Sequence, residues 1–187
     1  MNRIQLLCVV GVVGLATIVG GCSKKQEQGS AALGSNTGTV AGVKWSVPQR
    51  WGDGGQRPMR AATYTIPASQ GDAEGAECAV SFFGPGQGGP VDMNIDRWVG
   101  QFENPSTPEK ATKEMDGLKV STVKIAGAYL APSGPMMTSQ GKKENYRLLG
   151  AIVEAPQGMV FFKLTGPSKT VEAAASEFDA MVGSLKK

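Results

Sequence analysis

The hydrophobic positions in the first half of the folded region alternate with polar ones over short stretches. Residues 43–47, 59–66 and 76–83 show this alternation, and stretches rich in Gly, Pro and polar residues separate them. No helical spacing lies between them. The pattern therefore predicts three neighbouring antiparallel strands.

A helical spacing follows the third strand. Four apolar residues recur at i, i+3, i+4 and i+7: Ile95, Trp98, Val99 and Phe102. This spacing is one stripe of an amphipathic helix, and Asp92 or Asn94 is predicted to cap its start. A second helical stripe closes the chain, with Ser168 or Thr170 as its predicted cap: Val171, Ala174, Phe178, Met181, Val182 and Leu185.

A strand-like stretch between the two helices changes parity partway. Leu118 and Val120 share one face, whereas Val123 and Ile125 fall on the opposite parity. A bulge or turn near Ser121 would explain the change.

The clearest strand pair comes next, because residues 146–154 and 159–165 flank the turn-forming segment 155–158. Both segments are apolar on both parities, as central strands covered on two faces are. The order βββ–α–ββ(β)–α predicts an α+β fold, in which an antiparallel sheet of about six strands is sandwiched by helices.

The composition excludes several kinds of chemistry. The chain has no histidine, which removes Ser-His-Asp and Cys-His catalytic pairs and the commonest ligand of transition metals. Three cysteines are present, but Cys8 and Cys22 lie in or beside the N-terminal apolar segment. Cys78, in an apolar strand, is predicted to be a core residue without reactivity. We predict no metal and no cofactor.

A glycine-rich loop precedes the first helix. Gly84, Gly86 and Gly89 fit the G-x-G-x-x-G spacing of dinucleotide sites. That fingerprint works inside a parallel βαβ unit whose helix begins within the motif. Here Pro85 and Pro90 interrupt the loop, so we predict a turn.

The N-terminus has the features of an export signal. Arg3 precedes an almost continuous apolar run over residues 4–19, and small residues lead to Cys22. This arrangement resembles the lipobox of bacterial lipoproteins. The resemblance implies that the thiol of Cys22 is lipidated and carries acyl chains such as palmitate. Ser23, rather than Asp, implies the outer membrane, facing the periplasm, in a Gram-negative cell.

The chain therefore divides into three predicted parts. Residues 1–21 are a lipoprotein signal peptide, residues 22–42 a flexible tether poor in large apolar residues, and residues 43–187 a single α+β domain. The membrane is thus an expected partner, through the N-terminal lipid. A net charge of +3 without a basic stripe gives no indication of nucleic-acid binding.

The charged pair Asp96 and Arg97 flanks the apolar stripe of the first helix and is a candidate partner-binding site. A surface charge pair at the start of a helix is the simpler interpretation. Three further arginines could serve in the same way if their loop lies nearby: Arg50, Arg57 and Arg60.

Several segments together resemble one group of proteins. They are Trp45-x-x-Pro48-x-x-Trp51, Met59-Arg60, the glycine loop leading into residues 94–102, and residues 161–167. These resemble uncharacterised bacterial lipoproteins whose domain is similar to the Mog1/PsbP-like fold, an antiparallel sheet between helices. The resemblance implies an accessory protein that docks on a partner. It provides no family catalytic motif that could be assigned to residues of this chain.

Three functions stay open at this point. The first is a lipid-anchored, non-catalytic binding module for an unidentified protein partner in the cell envelope. The second is a small-ligand carrier with Trp45, Trp51 or Trp98 as a stacking platform. The third is a hydrolase that uses a pair of carboxylates in place of histidine. Tryptophans in an open groove would favour the carrier, paired carboxylates in a pocket the hydrolase, and a flat apolar patch the binding module.

Overall fold

The structure, a computed structural model, describes residues 33–133 and 138–187. In these residues it has ten strands: β1 (Leu33–Val40), β2 (Val43–Pro48), β3 (Gly52–Asp53), β4 (Ala62–Ile66), β5 (Ala76–Phe82), β6 (Phe102–Glu103), β7 (Glu109–Met115), β8 (Leu118–Ser133), β9 (Thr138–Ala155) and β10 (Gly158–Pro167). It has three helices there: α1 (Val91–Val99), α2 (Ser168–Ala173) and α3 (Ala175–Gly183). None of the helices in these two ranges is both long and apolar enough to span a bilayer.

One large antiparallel sheet organises the domain. Its eight strands follow the order β3-β4-β5-β10-β9-β8-β6, and β7 also pairs with β8. The strands β1 and β2 form a separate hairpin. The predicted α+β class with an antiparallel sheet between helices is confirmed, and the β9–β10 hairpin turns at the predicted segment.

Helices and the β1–β2 hairpin cover the first face of the sheet, which we call the C-terminal face. Its core contains Trp45 from β2, Phe162 from β10 and Phe178 from α3, all at most 3% exposed. The rings of Trp45 and Phe162 pack edge to face with centroids 5.1 Å apart. Alternate residues of β5 and β10 supply this core, because side chains alternate between the faces of a strand.

The opposite face, which we call the α1 face, carries a second core formed by α1 and the other parity of the strands. Trp98 packs directly over Gly150, where an added Cβ would lie 2.3 Å from the indole Cζ3. The nine residues of α1 span about 14 Å. The ten residues of β10 span about 33 Å. One short helix therefore leaves part of this face uncovered.

The predicted bulge near Ser121 is wrong. The pairing of β8 with β9 continues without a shift from Lys119 to Gly127. Leu118 belongs to the core of the C-terminal face and Val123 to the core of the α1 face, because both faces are covered. The register shifts instead between Gly127 and Tyr129.

The strand-like stretch predicted between the two helices, residues 113–130, is not one strand but a hairpin. Its strands β7 and β8 turn at Asp116 and Gly117, which have φ angles of 47° and 68°. β7 is an edge strand whose side chains are almost all exposed and include charged lysines and glutamates. Charges on an edge strand oppose pairing with another chain.

The folded body begins earlier than the predicted boundary at residue 43. Residues 33–40, assigned above to the tether, form β1 and pair with β2. Their composition is poor in large apolar residues, but strand pairing uses the backbone. At Gly38 the missing side chain makes room for the Trp45 ring, which would lie 2.1 Å from an added Cβ. Residues 1–32, including the predicted signal peptide and Cys22, lie outside the described residues.

The predicted helix caps are also corrected. Neither α1 nor α2 has a cap hydrogen bond from the side chain before its first residue, which is proline in both cases. Asp72, from the loop before β5, instead accepts hydrogen bonds from the backbone N–H and hydroxyl of Thr170 at 2.8 and 2.6 Å. The predicted single C-terminal helix is two helices, α2 and α3, separated at Ala174.

Candidate functional site

The glycine loop is a turn, as predicted. The preceding strand β5 is antiparallel to both of its neighbours, so the loop does not belong to a parallel βαβ unit. The buried amide of Asn94 donates to the carbonyl oxygens of Gly88 (2.6 Å) and Pro90 (2.9 Å). These bonds tie the loop to α1, and they correct the expectation that Asn94 caps the helix by accepting a bond.

The structure separates the two predicted partner-binding residues. The carboxylate of Asp96 is exposed and lies 3.4 Å from the ammonium of Lys110 on β7. The guanidinium of Arg97 donates to the side-chain oxygen of Asn94. Arg97 is also one of the two cations that lower the pKa of Lys163, which places its charge near the uncovered part of the α1 face.

A polar pocket of about 280 Å³ occupies that uncovered part of the sheet. We call it the Lys163 pocket. Its walls come from β5, β8, β9, β10 and the loops before β4 and β5: Arg60, Glu74, Gly75, Glu77, Ala79, Tyr129, Ala131, Lys143, Tyr146, Lys163, Thr165 and Gly166. Alternation places Lys163 and Thr165 of β10 on the same face as Phe161. The sheet thus changes from an apolar core to a polar cavity along one face.

Two ion pairs flank the pocket. Glu77 accepts a hydrogen bond from Arg60 at 2.6 Å, and Glu74 accepts from Lys143 at 2.9 Å. The hydroxyl of Tyr146 also donates to Glu74 in a short hydrogen bond. The bonds from Lys143 and Tyr146 lower the pKa of Glu74. Both carboxylates therefore already have cationic partners.

The ammonium of Lys163 has no carboxylate partner among the described residues. It donates to the side-chain oxygen of Gln101 at 2.6 Å and to the hydroxyl of Tyr129 at 3.2 Å. Burial first, and then the charges of Arg60 and Arg97, lowers the pKa of Lys163 to about 8. At neutral pH this lysine is a largely protonated, poorly solvated cation.

Two hydroxyl groups complete the donors of the pocket. Burial raises the pKa of Tyr129 to about 12, so its hydroxyl keeps its proton. This hydroxyl accepts from Lys163, and its ring stacks on Tyr146 with centroids 5.7 Å apart. The Oγ1 of Thr165 is buried without a hydrogen-bond partner in the described part of the chain. A buried hydroxyl without a partner is unusual and costs stability.

A second, larger groove of about 710 Å³ runs beside the β3–β4 edge. Trp51 and Tyr64 contribute to its wall, but Trp51 is only 6% exposed and its indole N–H donates to Glu177 at 2.8 Å. Trp45 and Trp98 are also buried. No tryptophan therefore presents a free ring face for stacking in this groove.

Cys78 is fully buried, and burial raises the pKa of its thiol far above the usual range. The thiol is therefore an inert core group, as predicted. Within residues 33–133 and 138–187 no three His, Cys, Asp or Glu side chains come together as metal ligands.

Sequence reasoning missed the central residue of the pocket. Lys163 is a lone charge in an otherwise apolar strand and has the same parity as the buried Phe161. That combination was a usable signal. Glu74 and Tyr146 were not predictable in this way, because 72 residues separate them along the chain.

No protein-family model matches the chain, and no curated protein is similar to it. Among solved structures, it is similar to the cyanobacterial PsbP protein CyanoP from Synechocystis sp. PCC 6803, with 14% identity and a TM-score of 0.48 over 89% of this chain and 97% of that chain. It is also similar to PA94 from Pseudomonas aeruginosa, a protein of unknown function, with 14% identity and a TM-score of 0.45 over 79% and 93%. A PsbP protein is thus among the structural neighbours, and the α+β class rests on the strand pairing of the chain itself.

Proposed function

We propose that this chain is a lipid-anchored protein of the cell envelope, whose single Mog1/PsbP-like domain is a non-catalytic binding module for a macromolecular partner. We further propose that the partner is recognised at the Lys163 pocket. The observation that carries the proposal is a half-buried cation without a carboxylate within ion-pair distance in the described residues, at the uncovered part of the α1 face.

A cation that is partly withdrawn from water and lacks an ion-pair partner is costly, so its presence needs a reason. Charged groups in protein interiors are almost always paired, because removing them from water is unfavourable. The surrounding strands are well packed, and the same strand carries fully buried apolar residues on its other parity. Local departures from good packing and pairing concentrate at functional sites. A binding role for Lys163 explains why a lysine occupies this position.

The anchor is supported by the N-terminal sequence. A positive residue, a short apolar run and small residues precede Cys22, and the resemblance to a lipobox makes this thiol the lipid carrier. Several acyl chains together hold a protein on a membrane, since each buried methylene contributes about 0.8 kcal/mol.

The carboxylate-based hydrolase is less well supported, although Glu74 and Glu77 do both line the pocket. A glycosidase needs one carboxylic acid with a raised pKa, which donates a proton to the leaving group. The pKa of Glu74 is lowered, and Glu77 is in contact with Arg60. Both carboxylates are therefore engaged in ion pairs with structural cations.

The small-ligand carrier remains a second candidate because of the shape of the site. A cavity of about 280 Å³ lies close to the lower end of the range for small-molecule sites. A free ligand could use the same cation and hydroxyl donors as a partner protein.

Labelling with radioactive palmitate tests the anchor. We expect label in the wild-type protein and none in Cys22→Ser, which should also leave the membrane fraction. Cys8→Ser is the matched control, because that thiol lies within the predicted signal peptide, and it should label normally. Equal label in Cys22→Ser would contradict the anchor.

Site-specific photo-crosslinking in the native membrane tests the binding role. A crosslinker at Ala131, which lines the pocket, should give a discrete adduct that Lys163→Met weakens. A crosslinker at the exposed Lys113 of β7 is the control and should not give the same adduct. The same adduct is measured in Arg97→Gln and in Asp96→Asn, which test the two helix residues predicted from the sequence. Identical adducts from both crosslinker positions would contradict partner binding at the Lys163 pocket.

A further inference from the structure

We infer that the Lys163 pocket binds a single carboxylate group, held by the ammonium of Lys163 and the hydroxyls of Tyr129 and Thr165. This inference rests on the proposed binding function and names the chemical group that the pocket recognises. The carboxylate can belong to a small organic acid or to an acidic residue or C-terminus of a partner protein.

The charges of the pocket favour a monoanion. Its lining contains three cations and two carboxylates: Arg60, Lys143, Lys163, Glu74 and Glu77. Within this lining the two ion pairs neutralise four of these groups, which leaves the charge of Lys163; Arg97, whose charge lowers the pKa of Lys163, lies outside the lining. One carboxylate neutralises this charge. A phosphate or sulfate dianion would add a surplus negative charge beside two carboxylates, and like charges at close range repel.

The hydrogen-bond donors favour the same group. An ammonium has three N–H donors, and Lys163 uses two of them for Gln101 and Tyr129. The hydroxyl of Tyr129 accepts from Lys163 and can donate its own hydrogen. The Oγ1 of Thr165 has no partner in the described part of the chain. Three free donors match the lone pairs of one carboxylate, and charge-assisted hydrogen bonds of this kind are the strong ones.

The strand geometry brings these donors together. Lys163 and Thr165 are two residues apart on β10, so their side chains leave the same face about 6.6 Å apart along the strand. The hydroxyl of Tyr129 lies 3.2 Å from the ammonium of Lys163. Lys163 and Tyr129 are therefore in direct contact, and Thr165 lines the same pocket from the same strand face.

The size of the cavity limits the ligand. A volume of about 280 Å³ corresponds to about nine water-sized groups, at about 30 Å³ each. A short organic acid or one acidic side chain fits this space, whereas a larger ligand would have to extend out of the pocket. The stacked rings of Tyr129 and Tyr146 offer apolar contact to its aliphatic part.

The first experiment titrates the purified full-length protein in detergent with three probes and follows the NMR signal of Lys163, assigned by its loss in Lys163→Met. The probes are sodium propionate, inorganic phosphate, and a short amidated peptide with one aspartate. Propionate or the peptide should shift this signal saturably, and phosphate should bind at least ten-fold more weakly. Tighter binding of propionate than of the peptide would assign the carboxylate to a small acid, and the reverse would assign it to a partner protein. A phosphate affinity equal to or above both carboxylates would overturn the inference.

The second experiment measures propionate binding by calorimetry in variants. Lys163→Met should weaken binding at least ten-fold, and Thr165→Val should weaken it several-fold because valine lacks the hydroxyl. Lys124→Met is the control. Lys124 is exposed, and its side chain leaves β8 on the C-terminal face, away from the pocket, so this variant should bind propionate as the wild type does. Circular dichroism must show the same fold in all three. Unchanged binding in folded Lys163→Met and Thr165→Val would overturn the assignment of the donors.

The pH dependence of propionate binding gives an independent check. Affinity should fall as pH rises through about 8, where free Lys163 loses its proton. A constant affinity from pH 7 to 9.5 would exclude the ammonium as the main contact. Failure of carboxylate binding with a persistent pocket crosslink would refute this inference alone, whereas loss of the crosslink would refute the proposed function.

Discussion

The two faces of the central sheet use the same strands for opposite purposes. On the C-terminal face, Trp45, Phe162 and Leu164 lie in a continuous apolar core under two helices and a hairpin. On the α1 face, the adjacent parity of β10 begins with an apolar core at Phe161 and reaches a half-buried cation two residues later, at Lys163. Each face holds one buried polar atom without a hydrogen-bond partner in the described residues, Arg147 Nε on the first face and Thr165 Oγ1 on the second.

In the proposed function, the C-terminal face stabilises the domain and the α1 face recognises the partner. Burial of apolar area is the dominant stabilising contribution to folding, and the C-terminal face provides it without interruption. The α1 face can then retain a lysine and a hydroxyl that reduce stability, because one short helix does not cover them. Four substitutions test this division, two on each face.

The largest effect is expected from Phe162→Ala on the C-terminal face. It removes a fully buried ring that packs on Trp45, and a buried Phe→Ala change typically costs about 3–5 kcal/mol. Urea unfolding followed by fluorescence measures the loss. Phe83→Ala is the control, since that ring is 39% exposed, and it should cost much less. Equal losses in the two variants would contradict the division.

Gly150→Ala should destabilise the other face by up to about 3 kcal/mol. The new Cβ would lie 2.3 Å from the Trp98 ring, so the indole or α1 must move. Urea unfolding measures the loss, and the near-ultraviolet circular dichroism of tryptophan reports the movement. Gly183→Ala in α3 has nothing within 4 Å of the added carbon and should be neutral or stabilising. An unchanged midpoint for Gly150→Ala would show that α1 is loosely packed.

Lys163→Met should change the pH dependence of stability. The folded pKa of about 8 is below the unfolded value of 10.5, so the unfolded state holds this proton more tightly. Wild-type stability should therefore rise relative to Lys163→Met between pH 8 and 10.5, by about 3 kcal/mol. The ionisation of tyrosines and Cys78 cancels in this difference. Urea midpoints at several pH values measure it, and Lys124→Met should give a flat difference. A flat difference for Lys163→Met would mean that the lysine is well solvated.

The smallest effect is expected from Glu177→Gln, at the rim of the C-terminal face. Burial raises the pKa of Glu177, but hydrogen bonds from Arg50 and Trp51 outweigh it and lower the pKa. The carboxylate therefore stabilises the fold above its unfolded pKa, and this contribution is lost as pH falls through the folded pKa. We expect a loss of about 1 kcal/mol at pH 7, shrinking toward zero in acid. Thermal unfolding from pH 7 to 3 tests this.

The matched control for Glu177→Gln is Glu172→Gln. The side chain of Glu172 is 67% exposed and lies 3.9 Å from Arg147, so its removal should change little. A constant deficit of Glu177→Gln at every pH would indicate a packing effect rather than a charge effect.

The sequence predicted the central strands well because their signals are local. The β9–β10 hairpin follows from apolar residues on both parities around a four-residue turn. The error at Ser121 came from applying a rule for sheets with one covered face to a strand covered on both. The β1 strand was missed because Gly38 serves the packing of Trp45, which only the folded chain shows.

The candidate site was less predictable, since its contacts are distant in sequence. Glu74 meets Tyr146 across 72 positions, and Asp72 reaches Thr170 across 98. The residues selected from the sequence, Asp96 and Arg97, lie on one helix, where a periodic pattern identifies the surface. The proposed Lys163 pocket instead lies on strands whose neighbours are set by topology. Cys22 stays a predicted lipidation site, and that prediction was possible because its sequence signal is contiguous along the chain.

The early start of β1 limits how far the domain can travel. Leu33 lies eleven positions after Cys22, and an extended chain covers at most about 3.6 Å per position, so the span is at most about 40 Å. If Cys22 is acylated, the folded domain would stay within this distance of the bilayer surface. Its binding partners would then be confined to molecules that are themselves embedded in the lipid or pass close to its surface.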